Sequence, residues 1–542
     1  MQEGITGRTP AKPGLYAPGE GEFLELSRDY NLVTVSRAVE ADTETPVTSF
    51  LKLVNGEYAF LLESAEGGER WGRYSFLGCH PLCVITYAEG SIKVPLGKEE
   101  LERLRRSLLP TPEKEGERPG RTGHQEPWGG DPVDFLFNVM DSFRASPPPE
   151  GLPFCGGAVG YFGYDLLPFM DKVTLREKKG LAVPDMVFML TRTAAAFDHL
   201  RGRVILLANV PIPENAEAGE KRLLYREATA ALESMARDLA AKSIPPPGGE
   251  VYYLSEEIDF QEVESNCTRE EYEDMVLRAK DYIFAGEAFQ VVPSQRFSTP
   301  LRCSPFSVYR ALRGQNPSPY MFFLRCGAIQ LVGSSPEPMV RRRGKEAVIR
   351  PIAGTRPRGR TPTEDLELER ELLADEKERA EHVMLVDLAR NDLGRVCEPG
   401  SVILRRVMEV ERFSHVMHLV SEVSGNLPPK RGNRDLLRAA FPAGTVSGAP
   451  KIRACQIIDE LEKERRGPYA GAVGYISYHG DMDTCIAIRT IVIKGDRAYV
   501  QAGGGVVADS QPSREYEETV NKARALLRAI RTAEAREGVM VL

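Results

Sequence analysis

The run Glu381-His382-Val383-Met384-Leu385-Val386-Asp387-Leu388-Ala389-Arg390-Asn391-Asp392 constrains this chain more tightly than any other stretch. Val383, Leu385, Val386, Leu388 and Ala389 fall at the spacing of a buried helix, with Glu381 carried at its start. A carboxylate taken into a core without a partner is strongly unfavourable, so the fold must bring a cation to it. A second carboxylate of the same kind lies in Glu515-Tyr516-Glu517-Glu518-Thr519. There Glu515, Glu518, Asn521 and Lys522 follow an i, i+3, i+6, i+7 spacing, which sets them on one helix face. Mg²⁺ takes oxygen ligands, often one or two carboxylates completed by substrate and water. Glu381 and Glu518 would supply such a pair; the competing reading for either one alone is a solvated charged face.

Breaks in composition divide the chain. Ile244-Pro245-Pro246-Pro247-Gly248-Gly249 marks the main boundary, giving a flexible leader over 1–22, an N-terminal domain over 23–245 and a C-terminal domain over 246–542. Residues 110–130 are rich in Pro, Gly, Glu and Arg and read as an inserted loop. Tyr58-Ala59-Phe60-Leu61-Leu62 and Cys83-Val84-Ile85-Thr86-Tyr87 read as strands. Thr268-Arg269-Glu270-Glu271 has the form of a capping box opening a helix to about Phe284, ended by Gly286 before a strand at Phe289-Gln290-Val291-Val292. Gly157-Ala158-Val159-Gly160-Tyr161 recurs as Gly471-Ala472-Val473-Gly474-Tyr475. Chance and two related sheet-forming halves, with glycine used for close backbone approach, both account for that echo.

Several functions are excluded. A net charge of −8 with no concentrated basic stripe argues against nucleic acid. No long apolar run is present, so no membrane span is expected. The nine cysteines show no CxxC pair, which fits reduced thiols in the cytoplasm. No GxSxG elbow occurs, and Gly444-Thr445-Val446-Ser447-Gly448-Ala449-Pro450-Lys451 departs from the P-loop pattern.

Three other motifs carry chemistry or plain structure. Pro351-Ile352-Ala353-Gly354-Thr355-Arg356-Pro357 reads first as a structural hairpin and second as an anion-binding turn. Gln501-Ala502-Gly503-Gly504-Gly505 ends a strand, either as a bulge or as backbone that approaches a ligand closely. His418 lies in an apolar stretch, where a lone histidine is more often a hydrogen-bonded core residue than a catalyst.

Taken in order, these segments resemble the chorismate-utilising enzymes over roughly residues 25–535, densely from 255 onward. The resemblance implies an α+β fold: a large antiparallel β-sandwich with helices packed outside and chorismate and Mg²⁺ in a cleft. It implies that Glu381 and Glu518 match the Mg²⁺ ligands. Gly503, Gly504 and Gly505 match a backbone cradle for carboxylate, with Lys522 beside it. Tyr469 and Arg489 match the pair gripping the pyruvyl carboxylate, and Gly354 and Thr355 line the site. Glu337, in Gly333-Ser334-Ser335-Pro336-Glu337, matches the general acid for the departing C4 hydroxyl, and His418 matches a histidine linked to pyruvate elimination. Such roles make physical sense, because a dianionic substrate needs cations, N–H donors and a metal.

Two positions sort the members of the family. Aminodeoxychorismate-forming members commonly carry a nucleophilic lysine where this chain has Ala353, and isochorismate-forming members carry a lysine base where it has Gln290. Both positions imply ammonia attack, with Gln290 orienting ammonia, and anthranilate as product in the tryptophan pathway. The absence of a Gly-x-Cys-x-Gly elbow implies a separate glutamine amidotransferase subunit that delivers the ammonia. Leu61-Leu62-Glu63-Ser64 and Asn316-Pro317-Ser318-Pro319-Tyr320-Met321 resemble a feedback site for L-tryptophan, with Glu63, Ser64, Pro319, Tyr320 and Met321 in contact. The competing readings are an aminodeoxychorismate-forming enzyme and a non-catalytic tryptophan sensor.

Overall fold

A computed structural model describes residues 15–64, 72–94, 130–241, 262–413 and 416–538. The 244–249 break, and all of the 110–130 insertion except Gly130, lie outside these residues. Among them the chain forms two large antiparallel sheets of eleven strands each.

The first sheet runs through Leu32–Glu40, Arg203–Pro211, Thr193–Asp198, Tyr74–Cys79 and Tyr58–Glu63. It continues through Tyr320–Cys326, Ile329–Ser335, Thr490–Lys494, Arg497–Gly503, Ser294–Pro300 and Glu264–Ser265. The second runs from Ile352–Pro357 through Val416–Asn426, Glu346–Ile349, Pro338–Arg343, Met482–Ile486 and Ala472–Ser477. It ends with Gly157–Phe162, Met186–Leu190, Cys83–Ala88 and Ser91–Lys93, and an eleventh strand, Ile403–Arg412, pairs with Val416–Asn426 off this path. Each sheet therefore draws strands from both sides of the 245 boundary. In the first, the two halves meet where Glu63 stands opposite Met321. In the second, they meet where Gly160 stands opposite Gly474.

The echoed glycine segments are thus neighbours that pair antiparallel with each other. A side chain on Gly160 would meet the Val187 carbonyl at 1.8 Å, and one on Gly474 would meet the Asp483 carbonyl at 2.1 Å. Glycine at these points lets four adjacent strands lie close, the close backbone approach that glycine permits.

Aromatic and aliphatic side chains fill the space between the sheets, among them Phe60, Phe154, Tyr161 and Phe322. The outer faces are covered by helices. Glu20–Asp29, Ala218–Ala241, Pro305–Gln315 and Pro512–Arg536 cover the first sheet; Pro132–Asp141, Glu376–Gly394 and Asn433–Ala440 cover the second. Sheets buried on both sides explain why strands such as Gly157–Phe162 and Met186–Leu190 read as continuous apolar runs rather than alternating ones.

Local expectations meet the structure with small differences. The Thr268 capping box opens the Arg269–Phe284 helix, and Gly286 adopts φ +79° after it. The helix bearing Glu381 begins earlier than the apolar run suggests, at Glu376, because the Asp375 carboxylate caps the amides of Lys377 and Glu378. Val383 is 45% exposed on that helix rather than buried, since Leu385, Val386 and Ala389 define the packed face. Ile352–Pro357 is not a hairpin tip but a strand, paired with Val416–Asn426 through an irregular register between Ala353 and Arg356. All nine cysteines are free thiols, and no helix among the described residues is long and apolar enough to cross a membrane.

Candidate active site

The three glycines after the Arg497–Gly503 strand organise the site by what they admit. A side chain at Gly503 would meet the Tyr469 hydroxyl at 2.9 Å and the Pro293 carbonyl at 2.8 Å. At Gly504 it would meet Glu515 Oε2 at 2.9 Å, and at Gly505 Gln290 Nε2 at 2.7 Å with Glu381 Oε1 at 3.9 Å. The run therefore packs directly against a tyrosine, a carboxylate from each of two helices, and an amide. The Gly504 N–H already donates to the Pro293 carbonyl at 3.2 Å, so the backbone cradle is less free at that residue than the sequence suggests.

Lys522 Nζ donates to the Gly503 carbonyl at 2.9 Å and pairs with Glu518 one helical turn away. Gln290 Nε2 donates to Glu381 Oε1 at 3.1 Å, whereas Gln290 Oε1 is buried without a partner. Glu515 Oε2 is likewise buried and unpartnered; burial raises the pKa of Glu515, a Ser510 hydrogen bond opposes the shift, and the charge of nearby Glu518 adds to it. A second carboxylate, Glu378, lies one turn before Glu381. Its pKa is raised by burial and then by Glu381, while Arg356 at 3.3 Å opposes the shift. Sequence reasoning passed over Glu378. The signal was present, because Glu378/Glu381 and Glu515/Glu518 repeat one Glu-x-x-Glu spacing on the two helices.

The donor set fits a hard cation: Glu515 Oε2 is buried without a partner, which such an ion would satisfy, and Glu518 one turn on and Glu381 beside Gly505 add further carboxylate oxygens. Among the described residues no three His, Cys, Asp or Glu side chains already form a shared coordination shell.

Glu337 is buried where the Ile329–Ser335 strand gives way to Pro338–Arg343. Burial pushes its pKa up to about 8, against the opposing effects of a Thr445 hydrogen bond and the charges of Arg489 and Lys522. Thr445 comes from the Gly444–Val446 turn, part of the loop that fails as a P-loop, and is a contact the sequence did not assign. Arg489 adopts φ +49°, a left-handed conformation unusual for arginine. Among the described residues it makes no ion pair, yet Glu337, Glu518 and Tyr469 all lie within its electrostatic reach. Arg489, Glu518 and Lys522 share a cavity of about 610 Å³.

His418 sits on the Val416–Asn426 strand. Its Nδ1 lies 2.7 Å from the Gly354 carbonyl and 3.2 Å from the Thr355 hydroxyl. A carbonyl only accepts, so Nδ1 carries the proton and Nε2 is the basic nitrogen. Burial lowers the pKa of His418 below its ordinary value, and the Gly354 bond opposes that. Gly354 adopts φ +66°, and a side chain there would meet Leu372 at 2.9 Å and Glu378 at 3.3 Å. The histidine is hydrogen-bonded, as the structural reading expects, but the bond also orients it as a base.

Elsewhere, Glu63, Ser64, Pro319, Tyr320 and Met321 line one cavity of about 560 Å³ between the sheets. The pairing of Tyr58–Glu63 with Tyr320–Cys326 is what unites two motifs more than 250 residues apart in sequence. Phe76 and Tyr475 form part of its wall, and Tyr320 donates to Asp483 at 2.9 Å. Ser64 Oγ is buried without a partner. The Glu63 carboxylate is already committed to Tyr309 and, at 3.1 and 3.2 Å, to Arg313.

The fold and the cleft together define a class. The chorismate binding enzyme family matches residues 114–528, and the chain belongs to that family. Among curated relatives, the protein named anthranilate synthase component 1 of Acetivibrio thermocellus is 42% identical over 520 residues, covering 96% of this chain and 99% of the relative. The one of the same name from Aquifex aeolicus is 45% identical, covering 95% and 97%. The crystal structure of anthranilate synthase component I from Streptococcus pneumoniae superposes with a TM-score of 0.67 at 36% identity, covering 90% of this chain and 98% of that one. The menaquinone-specific isochorismate synthase of Escherichia coli shares the fold, with a TM-score of 0.62 at 20% identity and coverage of 94% and 98%.

Proposed function

We propose that this protein converts chorismate and ammonia to anthranilate and pyruvate. The observation carrying the reading is Glu337: a buried carboxyl with a pKa near 8, in the field of Arg489 and Lys522. A carboxyl protonated at neutral pH can deliver its proton to a departing hydroxyl. The family description, chorismate binding enzyme, supports the substrate, and the names of the curated relatives support the product.

In this scheme Arg489 and Tyr469 hold the pyruvyl carboxylate. Mg²⁺, held by Glu381 and Glu518 with Glu378 and Glu515 one turn behind, would neutralise the ring carboxylate when bound. Lys522 adds charge beside the glycine run. Gln290 lies against Glu381 and Gly505, where its free carbonyl oxygen can accept a hydrogen bond from ammonia and orient it. A nitrogen–C2 bond forms as the ring double bonds shift and the C4–oxygen bond breaks; the Glu337 proton leaves with the hydroxyl as water, and the new C2 ammonium group gives up one proton to solvent. His418 Nε2 then takes the C2 proton as the C3–oxygen bond breaks, releasing the side chain that becomes pyruvate and leaving an aromatic ring. Ala353 offers no nucleophile, which is consistent with this route.

Ammonia would come from a separate glutamine amidotransferase subunit. L-Tryptophan would occupy the inter-sheet cavity, its indole against Phe76 and Tyr475 and a polar end at Ser64 and Asp483. Nine free thiols suit the cytoplasm. The test is a product assay on the purified chain with chorismate, Mg²⁺ and ammonium, read by mass spectrometry. Anthranilate with pyruvate is expected. A product that keeps the pyruvyl group would move the chain to the aminodeoxychorismate-forming branch, and no product at all would overturn the reading.

A further inference from the structure

Arg466 and Glu462 are both buried in the segment between the Lys451–Leu461 helix and the Ala472–Ser477 strand. A buried pair of opposite charges is tolerated when its geometry is close and its remaining polar atoms are satisfied. Arg466 Nε donates to Glu462 Oε2 at 2.9 Å, and Nη2 donates to Oε1 at 2.6 Å. The Ser294 amide and hydroxyl each donate to the same Oε1 at 2.8 Å. The guanidinium also reaches backbone: Nη1 donates to the Val446 carbonyl at 2.8 Å and Nη2 to the Val292 carbonyl at 2.7 Å. One side chain thereby ties together three segments of the cleft. Val446 follows Thr445, Val292 lies two residues after Gln290, and Ser294 pairs with Gly503 across the sheet.

Aromatic rings meet the same cation. Arg466 Cζ lies over the ring of Tyr164 at 4.6 Å from its centroid, and over the ring of Tyr469 at 5.5 Å. Its hydrogen bonds fix where that charge stands. A cation against a tyrosine ring attracts the π electrons and favours the shift of electron density from the hydroxyl into the ring. The hydroxyl proton becomes more acidic, and its hydrogen bond to an ionised acceptor becomes stronger. Burial pushes the Tyr469 hydroxyl up to about 12, Arg466 opposes that most, Glu462 adds to it, and Arg489 lowers it again. At neutral pH the group therefore remains a donor, standing beside Gly503 in the cleft.

We propose that Arg466 is a positioning residue that acts through Tyr469: its guanidinium fixes the tyrosine ring and strengthens the hydrogen bond that the hydroxyl donates to the substrate carboxylate. This rests on the reading of Tyr469 as a carboxylate ligand. The carboxylate is remote from the bonds that break, so the contact serves ground state and transition state alike. Loss of the cation then raises KM and leaves kcat in place.

The experiment measures kcat and chorismate KM for the full chain and for the paired change Glu462→Gln with Arg466→Gln, which removes both charges and leaves no lone buried ion. Each is made with Tyr469 and with Tyr469→Phe, which keeps the ring and lacks the hydroxyl. With Tyr469 present, the paired change should raise KM about tenfold and move kcat less than about threefold. With Tyr469→Phe it should move KM less than about twofold. Arg466→Lys keeps a cation near the ring and should stay within about threefold of the parent KM. An equal rise of KM in both backgrounds marks a merely structural role and overturns the proposal. An unchanged KM with Tyr469 present, or a fall in kcat as large as the rise in KM, also overturns it. If the paired variant does not fold, Arg466→Lys decides, and a KM raised about tenfold despite the retained charge counts against the proposal. A Tyr469→Phe enzyme with the parent's KM overturns the carboxylate reading of Tyr469 and the proposal with it. That outcome is distinct from a raised KM to which the paired change simply adds.

Discussion

The cleft and the inter-sheet cavity differ in how far their charged groups are already paired. Around the cleft, Glu515 Oε2 and Gln290 Oε1 are buried without partners, Arg489 lacks an ion pair among the described residues, and Glu337 is pushed up to about 8. Around the cavity, Glu63 is bound by Arg313 and Tyr309, Tyr320 by Asp483, and Arg73 by Asp198, while the buried group without a partner is the uncharged Ser64 hydroxyl. Groups left unsatisfied in a low-dielectric site interact strongly with whatever charge arrives or develops there, whereas groups already paired contribute shape. One region is poised for a charged, reacting molecule and the other for a molecule recognised mainly by fit.

If that contrast is correct, the largest effect should come from the cleft's perturbed acid. Glu337→Gln is expected to lower anthranilate formation by about a hundredfold to ten-thousandfold with the melting temperature little changed. A loss under about tenfold would remove it from the role of general acid. Next, Glu518→Gln should weaken the Mg²⁺ dependence of activity by about tenfold to a hundredfold in a metal titration, and an unchanged titration would take Glu518 out of the ligand set. At the cavity, Ser64→Phe should fill space rather than alter charge, raising the tryptophan inhibition constant by about tenfold or more. Equal sensitivity in variant and parent would break the comparison on that side.

The smallest effect is a shift in pH dependence. Glu337 must be protonated to act, so kcat/KM should fall as pH rises past about 8. His418 must be neutral, and its pKa lies below the ordinary 6.5, so the acid limb should lie below that value. The Thr445 hydroxyl favours the ionised form of Glu337 and lowers its pKa. Thr445→Val should therefore move the alkaline limb upward, and a downward move would contradict the assigned bond.

Much of this was legible before any coordinates. The capping box at Thr268, the glycine stop at Gly286 and the helices bearing Glu381 and Glu518 follow from local chemistry, because caps and helical spacing act within one or two turns. Glu378 was legible in principle, through the repeated Glu-x-x-Glu spacing, and Thr445 was not. Its role depends on a turn from one sheet's margin reaching a carboxylate on a distant strand. The Pro351–Pro357 segment reads as a hairpin from its own residues, because the strand it pairs with begins near residue 416, outside any local window.

The sequence by itself determined which residue types were available and which short elements would form: the helices, the glycine run and the two serines before Glu337. Only the tertiary structure decided what they meet. The pKa of Glu337 is a property of burial and of its distance from Arg489 and Lys522, neither of which is encoded within its own strand. The cavity exists because Glu63 comes into register with Met321, and the echoed glycines matter because they face each other across a seam. Local chemistry is set by neighbours along the chain, whereas dielectric, register and charge proximity are set by neighbours in space.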